Sequence, residues 1–218
     1  MNPPASPLRI GILLSGKGRG SNMQAIIDAT RDGRVPGEVA LVLSTSPGAP
    51  ALERARESGV PARLVSPAEH PDADALDTAL ADAFEEAGVE LVCLAGYMRL
   101  LGPKFLSRYS GRIMNVHPSL LPAFGGKGCF GRKVHEGVLE SGAKVTGVTI
   151  QFVDAQYDHG PIILQRVVPV EEDDTVETLA ARVLTQEHQA YPEAIRLFAE
   201  GRLRIEGRRV RVLPPTSA

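Results

Sequence analysis

Cysteine is scarce in this sequence, with only Cys93 and Cys129 among 218 residues. Two thiols cannot build a disulfide framework or a thiolate metal cluster. Cys93 sits inside an apolar run and reads as a small core residue, whereas Cys129 lies in a glycine-rich loop. No spacing matches a zinc site, so no metal is expected. No apolar run is long enough to cross a bilayer, so no membrane partner is expected. The first eight residues lack both the basic start and the apolar core of a signal peptide. They read as a frayed terminus, with residues 1–7 expected to be disordered and the cytoplasm as the compartment. Charge of either sign is not in excess: the formal net charge is -2, which gives no ground for a polyanionic partner. The one dense basic stretch, residues 202–211, alternates with apolar residues as a solvated strand face does, so no nucleic acid is expected. There is no internal repeat and no linker, and the chain reads as one domain, 1–218. Hydrophobic residues at 43% and charged residues at 23% are ordinary for a soluble globular protein with a core of normal size.

What is there is an alternation of strand and helix. Residues 8–14 form a short apolar strand. A glycine-rich turn follows at 15–22, and then a helix in which Met23, Ile26, Ile27 and Thr30 share one face. Ser21 or Asn22 can cap that helix, and Gly33 can end it. Strands at 39–43, 62–65 and 89–94 and helices at 51–58 and 74–87 continue the pattern. The run 89–94 is nearly continuous in apolar residues, as buried parallel strands are. This alternation predicts an α/β fold with a doubly wound, mostly parallel, Rossmann-like sheet and helices on both faces.

The C-terminal half departs from that pattern. Two long β-branched runs, 145–153 and 162–168, flank a polar loop at 154–161 and predict an antiparallel hairpin, which makes the sheet mixed. The last helix opens at Asp174 with Glu177 three residues on, a capping-box spacing, and Pro192 predicts a kink within it. A terminal hairpin is expected around Gly207-Arg208. Residues 8–110 read as a nucleotide- or phosphate-binding half and 111–213 as a catalytic half.

Three features carry chemistry. The turn Ser15-Gly16-Lys17-Gly18-Arg19-Gly20-Ser21-Asn22 opens a helix, where glycines let the backbone approach an anion and free N–H groups receive it. It can equally be a tight turn with no ligand. Neither the Walker pattern nor the dinucleotide fingerprint fits it. The stretch Asn115-Val116-His117-Pro118-Ser119-Leu120-Leu121-Pro122 follows the apolar run Arg112-Ile113-Met114, which reads as the end of a strand. In extended chain, residues two apart point the same way. Asn115 and His117 then aim at one spot beyond the strand, as two donors for an oxygen that gains negative charge. Asp158, in the polar loop, is a candidate partner for His117. Finally, Glu187 falls on the apolar stripe of the last helix, made of Val176, Leu179, Ala180, Val183, Ala190, Tyr191 and Ala194. A carboxylate facing inward needs a partner, within the protein or on a polar ligand.

With these residues in view, the chain resembles the phosphoribosylglycinamide formyltransferases, folate-dependent enzymes of purine synthesis. The resemblance runs from about residue 8 to 212. It is carried by Ser15-Gly16 with Gly20-Ser21-Asn22-Met23-Gln24-Ala25-Ile26, Leu94-Ala95-Gly96-Tyr97-Met98-Arg99-Leu100-Leu101, and residues 115–122. It continues in Lys144-Val145-Thr146-Gly147-Val148-Thr149, Asp158-His159-Gly160-Pro161-Ile162-Ile163 and Gln186-Glu187-His188. The resemblance implies that Asn115 binds the formyl oxygen, that His117 is the catalytic imidazole and that Asp158 orients it. It implies that the phosphate of glycinamide ribonucleotide sits on Gly20, Ser21 and Asn22, with Glu187 on the ribose hydroxyls. The folate would lie along Met98, Arg99, Leu100 and Leu101 and against the loop before Asp158, which carries Asp154. Three features depart from the family. The glycine turn is two residues longer, which leaves Lys17 and Arg19 without counterparts, in a chain that also lacks a phosphate-binding Arg before the helix at 74–87. Gln151 stands where the family often has a histidine.

The resemblance therefore implies transfer of a formyl group from 10-formyltetrahydrofolate, as co-substrate, to the amine of glycinamide ribonucleotide in de novo purine biosynthesis. The enzyme would be a monomer or homodimer. Formyltetrahydrofolate deformylase, a hydrolase, shares the Asn-x-His and Asp elements and is the alternative. A methionyl-tRNA formyltransferase would need a further domain and basic surface. A non-catalytic nucleotide-binding Rossmann-type domain leaves Asn115, His117 and Asp158 unexplained.

Overall fold

Strand β1 (Leu8–Leu14) forms because its apolar residues meet neighbours on both faces: its last five residues are buried. The computed structural model describes residues 6–16, 18–70 and 72–215. Most of the expected terminal disorder, and Lys17, lie outside the described residues. Ser6 and Pro7 are exposed. Nine strands and six helices are found among the described residues. They divide into two units, Met1–Tyr97 with Leu101–Ile113 and Met98–Leu100 with Met114–Ala218. The split falls beside the 110/111 division read from the sequence.

In the first unit β1 leads through the glycine turn to α1 (Ser21–Arg31), β2 (Gly37–Ser44), α2 (Pro50–Glu57), β3 (Ala62–Leu64), α3 (Ala73–Glu86), β4 (Leu91–Leu94) and α4 (Pro103–Arg108). Its strands lie in the order β3-β2-β1-β4, all parallel. Crossovers between parallel strands are right-handed. The order reverses at β1, so α1 and α2 cover one face and α3 the other, as a doubly wound sheet requires. Helix α3 buries Leu76, Leu80, Ala83 and Phe84. Gly11 makes room for it, since a Cβ there would sit 2.6 Å from the Phe84 ring. Phe84 meets Phe105 edge-on at 6.3 Å, and Phe105 stacks on Tyr109 at 5.3 Å. The turns after β1 and β4 are tied together by Ser15 N–H donating to the Gly96 carbonyl at 3.2 Å. The glycine turn therefore stands where the strand order reverses, the place ligands occupy in such sheets.

The N-cap of α1 is Gly20, at φ 71°, with no side-chain cap, rather than Ser21 or Asn22. A Cβ on Gly20 would lie 2.8 Å from that of Ala51. The chain must turn left-handed there against α2, which only glycine does without strain. Gly33, at φ 80°, follows the C-cap Asp32 as expected.

The second unit holds β5 (Ile113–His117) from Met114 on, α5 (Arg132–Glu140), β6 (Val145–Phe152), β7 (Ile162–Pro169), α6 (Val176–Ala199), β8 (Leu203–Glu206) and β9 (Arg209–Val212). Its strand order is β5-β6-β7-β9-β8. The β6–β7 hairpin is antiparallel, as expected, and so is β8–β9, while β7 and β9 run parallel. Helices α5 and α6 meet over β7 through Val138, Val168, Leu179 and Val183, all essentially buried. Side chains of that size contribute about 1.5–3 kcal/mol each on full burial. Helix α6 runs unbroken through Pro192.

Its start is a second correction. The capping box is made by Thr175 and Thr178, not Asp174 and Glu177. Asp174 instead accepts from the Arg182 guanidinium at 2.6 Å and 2.8 Å and from the Thr178 hydroxyl at 2.7 Å. An ion pair one step outside the helix displaced the carboxylate from the capping role, and Thr175 took it.

Candidate active site

Asn115 and His117 lie within β5, not beyond it. Asn115 pairs with Gln151 and His117 with Thr149 across the antiparallel ladder with β6. The expected orientation survives this correction for the same reason it was expected. Side chains two apart on a strand share a face, and so do directly opposed residues of an antiparallel pair. Asn115, His117, Thr149 and Gln151 thus stand on one face.

The chain beyond His117 is fastened from below. Thr149, fully buried, donates to the Ser119 carbonyl at 2.7 Å and accepts from the Leu121 N–H at 3.0 Å. Gln165 on β7 donates to the Leu121 carbonyl at 3.0 Å and to the Thr149 hydroxyl at 2.9 Å. The Ser119 hydroxyl closes the turn on the Ala123 carbonyl at 2.6 Å. These bonds, made by residues of three segments, fix where the chain leaves β5.

His117 is 4% exposed. Its Nε2 lies 2.9 Å from the Phe124 carbonyl oxygen, an acceptor, so that nitrogen carries a proton. Its Nδ1 lies 3.5 Å from Asp158 Oδ1. Asp158 is held on both oxygens: Gly126 N–H donates to Oδ2 at 2.9 Å and the Gln151 amide to Oδ1 at 3.3 Å. Its backbone is left-handed, at φ 52°, a conformation Asp and Asn adopt more readily than most side chains. A Cβ on Gly125 would meet the end of the Leu121 side chain at 2.3 Å and push it aside. On α5, buried His135 is held below the ordinary imidazole value, first by burial and then by the charge of His117. It is therefore neutral near pH 7.

The Asn115 amide is half-buried and makes no side-chain hydrogen bond among the described residues. The His117 ring has each nitrogen facing an acceptor. The chemistry available is an uncommitted amide donor beside an imidazole–carboxylate pair, a set suited to stabilising an oxyanion and handling a proton. Sequence reasoning missed the Gly126 N–H and the Phe124 carbonyl as partners. It also missed the contact of Gln151 with Asp158.

The other expected residues divide between the two units. In the first, Gly20, Ser21 and Asn22 form the start of α1. The first intrahelical bond is Gln24 N–H to the Gly20 carbonyl at 2.9 Å, and the first turn holds no acidic residue. The N–H groups of such a turn point outward and favour an anion. Arg19 is exposed beside it. In the second unit, Glu187 is buried on the inward stripe of α6. One turn on, the Tyr191 hydroxyl donates to the Met114 carbonyl at 2.9 Å and anchors α6 to β5. Met98, Arg99 and Leu100 are exposed, Met98 at 47% and Leu100 at 45%, whereas Leu101, in the first unit, is buried. Asp154 accepts from Gln156 N–H at 2.8 Å and from His159 Nδ1 at 2.7 Å, while Arg208 donates to His159 Nε2 at 2.5 Å. No helix is long and apolar enough to cross a membrane among the described residues.

A family model described as formyl transferase matches residues 8–195. The chain is 38% identical over 198 residues to phosphoribosylglycinamide formyltransferase of Haemophilus influenzae, a match covering 91% of this chain and 90% of that protein. It is 41% identical over 197 residues to the trifunctional purine biosynthetic protein adenosine-3 of Bos taurus, covering 90% of this chain. The chain spans only 19% of the length of that relative. Among solved structures, glycinamide ribonucleotide transformylase 1 from Symbiobacterium toebii superposes with a TM-score of 0.90 at 55% identity, covering 96% of this chain and 95% of that one.

Proposed function

The chain belongs to the formyl transferase family, and from that premise we propose that it transfers the formyl group of 10-formyltetrahydrofolate to the amine of glycinamide ribonucleotide, a step of de novo purine biosynthesis. The observation that carries this reading is the shared face of β5. It sets the uncommitted Asn115 amide beside His117, whose Nδ1 lies 3.5 Å from Asp158.

The chemistry follows from these atoms. The amine nitrogen uses its lone pair to form a bond to the formyl carbon, and the carbonyl electrons move to oxygen. The Asn115 N–H donates to that oxygen. Losing one such donor costs about 100- to 1000-fold in turnover. Collapse of the tetrahedral species breaks the bond to folate nitrogen N10, which leaves with a proton equivalent to the one given up by the amine. His117, steadied by Asp158, bears positive charge near the oxyanion, and the proton given up by the amine reaches N10 through water. Contacts such as the one between them tighten when substrates bind. No covalent enzyme intermediate is required.

The binding roles are part of the same proposal. The phosphate is received by Gly20, Ser21 and Asn22 at the start of α1, and the ribose hydroxyls by Glu187. The folate lies along Met98, Arg99, Leu100 and the backbone of Leu101, with the loop carrying Asp154. Action without a metal, as a monomer or homodimer, in the cytoplasm, completes the reading.

The test is to supply glycinamide ribonucleotide with 10-formyltetrahydrofolate and follow loss of the formyl group from folate. Turnover that requires the ribonucleotide is expected. Formyl loss at the same rate without it would make the protein a deformylase and overturn the assignment.

A further inference from the structure

Gln151 is 2% exposed, and the transfer chemistry described above gives it no task. It lies on β6 opposite Asn115, on the face that carries His117. Its Nε2 donates to Asp158 Oδ1 at 3.3 Å, the same oxygen that lies 3.5 Å from His117 Nδ1. Its Oε1 is buried and has no hydrogen-bond partner among the described residues.

The amide orientation has a physical reason. A carboxylate oxygen only accepts hydrogen bonds, so the NH2 end must face Asp158. Flipping the amide would set oxygen against oxygen. The unpaired Oε1 is therefore the consequence of committing Nε2 to Asp158. A buried carbonyl oxygen without a donor is unfavourable, and an apolar side chain of the same shape would avoid it. The position keeps a group that is poor for packing and well placed for the carboxylate.

We propose that Gln151 is a positioning residue: its amide pins Asp158 Oδ1 against His117, with Gly126 N–H pinning Oδ2. Two donors on two oxygens fix both the place and the plane of the carboxylate. With Gln151 removed, Gly126 alone holds Oδ2, and the carboxylate is free to swing about that bond and away from the ring. The inference rests on the formyl-transfer reading of this site.

The experiment compares Gln151→Met, Gln151→Glu and Gln151→His with the wild-type protein by steady-state formyl transfer and thermal unfolding. Methionine keeps the volume, removes the donor and removes the orphaned oxygen. Its kcat is expected to fall about 10- to 100-fold, as misplacement of a catalytic group by about 1 Å does. The KM for the ribonucleotide should stay within about threefold. The unfolding midpoint should stay within about 3 °C of wild type, because a lost hydrogen bond and a lost orphan offset each other. Glutamate sets a second carboxylate against Asp158 and should cost more than methionine. Histidine supplies a ring N–H donor and should restore most of the methionine loss. If the methionine protein does not fold, the isosteric glutamate variant carries the comparison with histidine.

A methionine variant with wild-type kcat overturns the inference. So does a kcat loss that tracks a fall in unfolding midpoint, with no rescue by histidine, since that is the behaviour of a packing residue. A wild-type protein that transfers no formyl group fails the functional reading itself, before any variant is compared. An active wild type with an equally active methionine variant fails this inference alone.

Discussion

Replacing Asp158 with asparagine removes a charge and little else. The residue stands at φ 52°, where asparagine is as comfortable as aspartate, so the backbone has no cause to move. Its neighbours offer hydrogens: Gly126 N–H at 2.9 Å, the Gln151 amide at 3.3 Å, and His117 Nδ1 at 3.5 Å when that nitrogen is protonated. Asparagine has one accepting oxygen and one NH2 group. If its oxygen keeps Gly126, its NH2 faces another NH2 and the ring. The carboxylate matters most when His117 bears positive charge during transfer. Unit charges at that 3.5 Å separation attract by about 5 kcal/mol at an effective dielectric of about 20. A carboxamide dipole retains only part of that attraction. Losing roughly 3–4 kcal/mol of transition-state stabilisation lowers kcat by roughly 100- to 1000-fold. The assay is steady-state formyl transfer at saturating levels of both substrates, with each KM and the thermal midpoint measured alongside. The ribonucleotide KM should move by less than about threefold, because no ground-state contact to it is removed. A variant with kcat within about threefold of wild type would refute the role given to this carboxylate.

Three further outcomes are expected. Glu187→Gln keeps the shape of a buried side chain and removes its charge; the ribonucleotide KM should rise by about ten- to a hundredfold with a smaller change in kcat, since hydrogen bonds to charged groups contribute about 1.5–3 kcal/mol. An unchanged KM would take Glu187 out of the binding site. Arg19→Ala should raise the same KM by about three- to tenfold at low salt and by less at high salt, as a screened surface charge would; equal affinities at both salt levels would remove Arg19 from phosphate binding. Asp174→Asn tests a structural ion pair. Arg182, bonded to Asp174, holds its carboxyl well below the ordinary carboxylate value of 3.8. A depressed folded value contributes stability that is present above the unfolded value and is lost as pH falls through the folded one. The variant should therefore melt below wild type at about pH 7, with the gap narrowing at about pH 3 and below. Equal midpoints at neutral pH would show that the pair contributes nothing.

Much of this protein was legible in the order of its residues. The strands at 8–14 and 145–152 and the helix of residues 73–86 follow from apolar spacing that local geometry alone can read. The shared direction of Asn115 and His117 follows from the two-residue repeat of a strand. That inference held although the strand extends through both residues rather than ending before them. Glu187 stood out as a carboxylate on an apolar stripe, and it is buried.

Tertiary structure decided what depends on segments distant in sequence. Gly20, rather than Ser21, caps α1 because Ala51 leaves no room for a side chain there. Gly160 is required because a Cβ would lie 1.9 Å from the Phe152 carbonyl oxygen, eight residues away along the chain. The His117 ring meets the Asp158 carboxylate only once β5 and β6 are in register. Periodicity says which side of a strand a residue occupies. It does not say which residue of another strand stands opposite, because register is set by the burial of a whole face at once. The sequence by itself therefore determined the elements and the chemical groups they carry; the fold decided which hydrogens point at which oxygens.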